Sequence, residues 1–478
     1  MGQFYLENEE KIRPGVYNRY SNRGTTNNTG AVYGIVAVPI HASWGPLEKV
    51  NLFTASEIDK LKAMYGTSGT VDAALELFAG GASKVYVYRL GTGGTAGSVT
   101  LKDTEVDTPA DVLTVTALYP GQRSLSVTVR EKLTDATQKE LLITDGTKIL
   151  ETFDFAVKEE STSEIDTLIS NVAEAGSQYV KLTKVAEGGN GEIAAVSNVA
   201  LVGGADPEVV NSDYSNAFNA FEAYRWNAIT IDSCEDDVKS LLQEYIDRIY
   251  QTGKWSYAVM GDPTSVGWAN RLARAAQCND KLVIYVGGGW NDSDGPVDGY
   301  RAVCRVCGLI SSTPANQSVV HSAIPGAVSL IENLSNTDYE DAITHGMLAI
   351  SMDASDTVQL DAGVTTLITP GENDDDGWKH IRRLVTRNES MDRVDRALSP
   401  LVGKVNCDKD GIAIAIQAAQ KVLDAMVGEK KLADGASFYV DPDKPAKVDS
   451  AYFIIDEDDI DSLEKVYLHY RFRFSATA

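Results

Sequence analysis

No stretch of about 18 consecutive apolar residues occurs in the chain, so a membrane-spanning helix lacks material. The opening residues, MGQFYLENEEKIRPG, are polar and acidic, without an apolar run behind a basic start, and no secretory leader is expected there. Leu6 stands where a myristoylated Met-Gly start would carry Ser or Thr. Cysteine is scarce. The five, at 234, 278, 304, 307 and 407, are odd in number and scattered over 478 residues, which fits free thiols in a reducing compartment better than a disulfide framework. Positive charge is short as well. Against 68 acidic residues stand 43 Lys and Arg, a net charge of −25 that repels phosphate backbones and keeps a protein soluble when concentrated. No nucleic-acid partner and no direct membrane insertion are expected.

The signatures of chemistry are missing too. There is no GxxxxGK[ST] phosphate cradle, and GGGWND (287–292) lacks both GxGxxG spacing and a well-placed acid beyond the next strand. The histidines at 41, 321, 345, 380 and 469 show no ligand spacing, and no GxSxG elbow exists. Asp232, at the end of an apolar strand, imitates a hydrolase acid, but nothing in the sequence singles out a Ser or His to complete a triad. Cys304 and Cys307 form CRVC inside a helical pattern at i and i+3. Two small thiols buried against a sheet are the simpler reading than half a zinc site. The acidic runs Asp374–Asp376 and Asp456–Asp461 lack calcium-loop spacing and read as solvated faces. No catalytic residue, cofactor or metal ligand is therefore assigned.

What is present is ample core material, 43% hydrophobic against 23% charged residues, in a length suited to about three domains. Residues 1–30 form a polar arm. Residues 31–96 hold the strand AVYGIVAV, a helix with Val71, Ala74, Leu75 and Phe78 on one face stopped by Gly80-Gly81, and a strand at Val85–Leu90. From 97 to 200 the texture becomes β-alternating between turn pairs, with one helix at 162–175, as expected of a β-sandwich-like insertion. From 201 to 362 strands at 228–233, 256–261 and 281–287 alternate with amphipathic helices, an α/β layer with a largely parallel sheet. Residues 363–478 read as α+β: strands at GVTTLI and HIRRLVTR, a helix at 410–428, then SFYV, AYFIID and VYLHYRFRF. The fold class is thus multidomain α/β and α+β.

Two features have no obvious partner at home. In VYLHYRFRFS (466–475), Val466, Leu468, Tyr470, Phe472 and Phe474 alternate strictly with polar or basic residues, as in a half-buried strand of roughly 33 Å. Its apolar face is expected in the C-terminal domain core or in a neighbour's, with its first half able to pair with AYFIID. Within an acidic chain, WKHIRRLVTRNESMDRVDR (378–396) gathers Lys379, Arg382, Arg383, Arg387, Arg393 and Arg396. This is either a solvent face or a docking patch for an acidic partner.

Taken in order, RPGVYNRYSN (13–22), GIVAVPIHASWGP (34–46), ELFAGGASKVYVYRL (76–90), YPGQRSLSVTV (119–129), the GGNGE to ALVGGAD stretch (188–206), CGLISSTPANQS (307–318) and YLHYRFRF resemble the sheath protein of contractile phage tails, shared with phage-tail-like bacteriocins. No single motif is specific; their joint order is. The resemblance implies a non-catalytic, subtilisin-like α/β core with a β-rich insertion outside and a C-terminal domain facing an inner tube. It implies helical self-assembly through donated arms, here Pro14, Gly15, Val16 and Tyr17 at one end and the terminal strand at the other. It also implies a tail tube protein, baseplate and tail terminator proteins as partners, contraction without hydrolysis, and a place in the virion tail after synthesis in the host cytoplasm. The rival expectation is an α/β enzyme, a hydrolase or nucleotide-dependent one, with an accessory β domain.

Overall fold

The computed structural model describes residues 3–4, 17–18, 33–158, 163–186 and 189–473. Its centre is a seven-stranded sheet in the order Met347–Leu348, Val283–Val286, Tyr257–Gly261, Ala228–Thr230, Ile35–Ile40, Lys84–Arg89, Val50–Thr54. All neighbours pair in parallel except the edge strand Val50–Thr54, which runs antiparallel to Lys84–Arg89. The sequence piece before the insertion and the piece after it therefore share one sheet, because Ile35–Ile40 pairs with Ala228–Thr230. Val36, Val38, Ile229, Val259 and Ile284 are sealed from solvent, as unbroken apolar strands covered on both faces must be.

The helices Asn211–Phe221 and Asp236–Gln251 pack together against this sheet, as do Asp72–Gly80 and Tyr300–Ser312. The second pair crosses at backbone distance. A Cβ on Gly80 would lie 2.1 Å from the Arg305 carbonyl oxygen, and one on Gly308 would lie 2.2 Å from that of Leu77. Gly80 is thus a packing residue inside the helix. Gly81, at φ +112°, is the left-handed cap that ends it.

Residues 98–200 form two further sheets, Lys148–Ala156/Asp135–Asp145/Leu125–Lys132/Val196–Ala200 and Val180–Lys184/Asp111–Ala117/Ser98–Lys102, with the helix Glu164–Ala175 beside them. Leu125, Val127 and Val129 are buried while Ser126 and Thr128 are half-exposed, the alternation of a sandwich wall. The C-terminal part packs the helices Ile381–Leu398 and Lys409–Gly428 with the hairpin Ser437–Val440/Phe453–Asp456 around Val394, Leu423, Met426 and Phe438. No helix among the described residues is long and apolar enough to cross a membrane.

Three expectations are corrected here. HIRRLVTR is not a strand but the start of the Ile381–Leu398 helix. Ile381, Leu384, Val385 and Val394 follow helical spacing, and Arg382, Thr386 and Asn388 are polar residues buried on the same helix. GVTTLI forms no strand; Val364 makes an isolated bridge to His380, and the Thr366 amide donates to the Val283 carbonyl at 2.9 Å. Finally, residues 466–473 carry no strand, and Phe453–Asp456, the expected home partner, pairs instead with Ser437–Val440.

Candidate assembly surfaces

The terminal segment is the first of these surfaces. Val466, Tyr467, Leu468, Tyr470 and Phe472 are between 65% and 92% exposed, on both faces of the alternation. Among the described residues, 465–473 make no hydrogen bond or ion pair; only Tyr470 and Phe472 stack on each other, their centroids 6.3 Å apart. Each such side chain would gain about 1.5–3 kcal/mol on full burial. Phe474 lies outside the described residues, as do Pro14, Gly15 and Val16. The backbone of Tyr17–Asn18 pairs in parallel with Gln3–Phe4.

The basic segment behaves differently from its appearance in the sequence. Arg393 is 2% exposed and lies between Glu389 and Glu429, and Arg382 is 8% exposed, its Nε donating to the Ala315 carbonyl at 3.4 Å. Arg387 bridges Asp375 at 2.9 Å and Asp459 at 3.1 Å, stacks over Trp378, and holds the Asp375 carboxyl below its usual range. Arg383 faces Asp459 and Asp461, Lys379 pairs with Asp376, and Arg396 pairs with Asp392. An open basic patch is therefore corrected to a seam between the Ile381–Leu398 helix and the acidic residues that fold back on it. Composition could not reveal this, because Asp459 and Glu429 come from later in the chain.

At the heart of that seam, Lys431 Nζ donates to Glu389 at 2.7 Å, to Glu429 at 2.6 Å and to the Tyr33 hydroxyl at 2.6 Å. Tyr33 in turn donates to Glu389 at 2.7 Å. The start of the central sheet, the Ile381–Leu398 helix and the end of the Lys409–Gly428 helix meet in this one buried network.

A second junction carries the inserted domain. Arg89, fully buried at the end of its strand, donates Nε to the Ala42 carbonyl at 2.7 Å and its two NH groups to those of Gly45 at 2.7 Å and Pro120 at 2.9 Å. Burial pushes its pKa down to about 10. Trp44, from the loop after Ile40, is 2% exposed inside the sandwich core, edge-on to Tyr119 and stacked with Tyr179. Arg123 packs on Trp44 and donates to the Ala63 carbonyl and to Asp145, both at 2.8 Å.

Asp232 does gather partners that sequence reasoning missed. Its Oδ2 accepts from the His41 ring at 2.6 Å, from the His41 amide at 2.9 Å and from the Thr70 hydroxyl, while Oδ1 accepts from Tyr214 at 2.9 Å. Burial pushes the His41 pKa down, but its bond to the Asp232 carboxylate outweighs this and raises it. Thr70 donates to the carboxylate and not to the ring, and among the described residues no side-chain hydroxyl bonds to the His41 imidazole. The cluster ties the loop after Ile40 to the end of Ala228–Thr230. Cys304 and Cys307 are fully buried, and burial raises both thiols above their ordinary pKa.

The comparisons agree with this geometry. The family model for the phage tail sheath protein central domain matches residues 208–366, and that for the phage tail sheath protein beta-sandwich domain matches 92–206, together more than half of the chain. The phage-like element PBSX protein XkdK of Bacillus subtilis (strain 168) is 23% identical over 382 residues, 77% of this chain and 76% of that protein. The sheath tail protein of Desulfitobacterium hafniense superposes with a TM-score of 0.70 at 18% identity, covering 93% of this chain and all of that one. The helical sheath of the anti-feeding prophage in its contracted state gives 0.52 at 10% identity, covering 97% and 99%. The solved structures share the fold at these identities. The chain belongs to the phage tail sheath protein family.

Proposed function

We propose that the chain is the structural subunit of a contractile tail sheath, polymerising helically around an inner tail tube and contracting to drive that tube through a cell envelope. The observation that carries this reading, beside the family, is the exposed alternating segment 466–473, which has no partner among the described residues of its own chain. A strand with free N–H and C=O groups gains a ladder and buries its apolar face when donated to another copy's sheet. The hairpin Ser437–Val440/Phe453–Asp456 has two strands only and offers edges to receive one. Head-to-tail donation that does not close on itself builds a helix of subunits. The N-terminal residues Pro14, Gly15, Val16 and Tyr17 would serve as the second arm. A tube protein, a baseplate and a terminator complete the list of partners, and the place of action is the virion tail. The parallel sheet flanked by helices supports a subtilisin-like core without its chemistry.

The test is electron microscopy of the concentrated protein, full-length and lacking residues 463–478. Full-length chain should form rings, tubes or sleeves, and the truncated chain should stay a folded monomer. Unimpaired tubes from the truncated chain would remove strand donation.

A further inference from the structure

The root of the terminal segment meets the start of the Ile381–Leu398 helix through three side chains that nothing in the sheath reading uses. His380 Nδ1 lies 3.2 Å from Asp461 Oδ2 and 3.9 Å from Glu464 Oε2, and the three donor atoms fall within 4.8 Å of one another. His380 Nδ1 is closed off from solvent and has no hydrogen-bond partner. A charge-assisted N–H···O bond would bring nitrogen and oxygen to about 2.7–2.9 Å. Two ligands of a tetrahedral zinc ion, each about 2.0–2.2 Å from the metal, lie about 3.4 Å apart. The two distances from His380 to the carboxylates bracket the second value and miss the first.

The two carboxylates also face arginines: Asp461 Oδ2, which faces His380, is 3.5 Å from Arg383 Nε, and Arg382 lies in the field of Asp461 and Glu464. Arg383 lies 3.5 Å from both Asp459 and Asp461, while Arg387 is shared between Asp459 and Asp375. Among the described residues, Glu464 has no Lys or Arg within ion-pair distance. Its Oε1 accepts from the Ser462 hydroxyl at 3.1 Å and from that of Ser318 at 3.4 Å, whereas Oε2 faces His380 alone. An imidazole with two carboxylates suits a borderline divalent cation such as zinc better than calcium or magnesium, which favour all-oxygen shells.

We propose that His380, Asp461 and Glu464 form a site for a single zinc-class divalent cation, with solvent as the fourth ligand. The ion fastens residues 461–464 to the start of the Ile381–Leu398 helix, so that the exposed segment beyond Lys465 leaves the subunit from a fixed point. No spacing rule could flag it, because the histidine and the two acids are separated by most of the C-terminal domain.

The experiment is calorimetric titration of the full-length chain with zinc chloride alone, paired with the absorption spectrum of the cobalt-loaded protein. One site per chain is expected, with a cobalt spectrum free of sulfur-to-metal charge transfer. Affinity should fall roughly 100-fold or more in His380→Ala and in Glu464→Gln. Glu464→Gln keeps an oxygen to accept from Ser462 and Ser318, and its unfolding midpoint without zinc, expected unchanged, separates a lost ligand from misfolding. Cys407→Ser, which removes the exposed thiol, should bind unchanged. Absence of zinc binding to the unaltered chain would overturn the proposal, as would equal affinity in His380→Ala and Glu464→Gln. So would binding that vanishes in Cys407→Ser.

Discussion

Where the inserted domain leaves the central sheet, the chain is held at every step; beyond Glu464 it is held nowhere among the described residues. Arg89 fills three carbonyls at the first junction, Trp44 reaches into the sandwich core, and Gly121 approaches so closely that a Cβ there would lie 2.0 Å from the Ser43 carbonyl oxygen. The terminal segment instead shows Tyr467 and Phe472 about nine-tenths exposed. Both stretches are rich in aromatic and basic residues, so composition does not separate them. The difference lies in whether a partner surface exists in the same chain. On the proposed function, the first junction would keep the subunit a single body and the second would connect it to its neighbours.

The comparison breaks first at the rigid mount. Trp44→Ala should cost about 3–5 kcal/mol, because it empties the end of the sandwich core where Tyr119, Tyr179 and Arg123 converge. Urea unfolding of the chain lacking residues 463–478, followed by circular dichroism, would measure it. Arg89→Met should cost about 3–4 kcal/mol, less than the sum of its three stranded carbonyls since some relax toward water. An unchanged midpoint in either variant would mean that the inserted domain is not mounted through these residues.

Between mount and tail lies the layer that carries both, and a pair of carboxyls there gives a pH-dependent prediction. Burial, and then the neighbouring Asp280, push the Asp247 carboxyl up to about 7. The folded chain therefore keeps a proton that the unfolded chain has lost between about pH 4 and 7. Stability should fall as pH rises through that window and level off above it. Asp247→Asn removes the repulsion while keeping a donor toward Asp280. It should stabilise by on the order of 1 kcal/mol at pH 8, once solvent screening is allowed for, and by nothing near pH 4. Thermal melts at the two pH values separate the cases; a gain that is equal at both would assign it to packing rather than titration.

Much of this architecture is legible in residue patterns, and the illegible parts share a cause. Short unbroken apolar runs such as Ile35–Ile40 and Val283–Val286 read as strands covered on both faces, and the alternation in Leu125–Val129 reads as a half-buried strand. The Ile381–Leu398 helix is hard to read because its buried face mixes Ile381, Leu384 and Val394 with polar side chains. Arg382, Thr386, Glu389 and Arg393 are buried among groups from distant segments, which hydrophobic periodicity cannot register. For the same reason the basic run looked like a surface and proved to be a seam. Asp232 stands out at the end of an apolar strand, but its partners His41, Thr70 and Tyr214 come from three other segments and share no motif with it. Pattern reports local periodicity and burial; it is silent on polar groups whose partners the fold supplies.

The terminal segment tests the other side of the comparison, and its expected effect on the monomer is the smallest. The double variant Tyr470→Ser/Phe472→Ser removes two large aromatic side chains, 71% and 92% exposed. Had they been buried at home, truncating them would cost about 3–5 kcal/mol each. As they stand, the isolated subunit should keep its stability within about 0.5 kcal/mol. Assembly should respond in the opposite way, since those rings are two of the five side chains on the apolar face a donated strand would bury. Equilibrium unfolding of dilute subunits, compared with the concentration at which sleeves first appear, measures both quantities on one preparation. A destabilisation of dilute subunits above about 1 kcal/mol would mean that the segment folds back onto its own chain before assembly. The hairpin Ser437–Val440/Phe453–Asp456 would then be where to look for the strand, with donation becoming an exchange between a closed subunit and an open one.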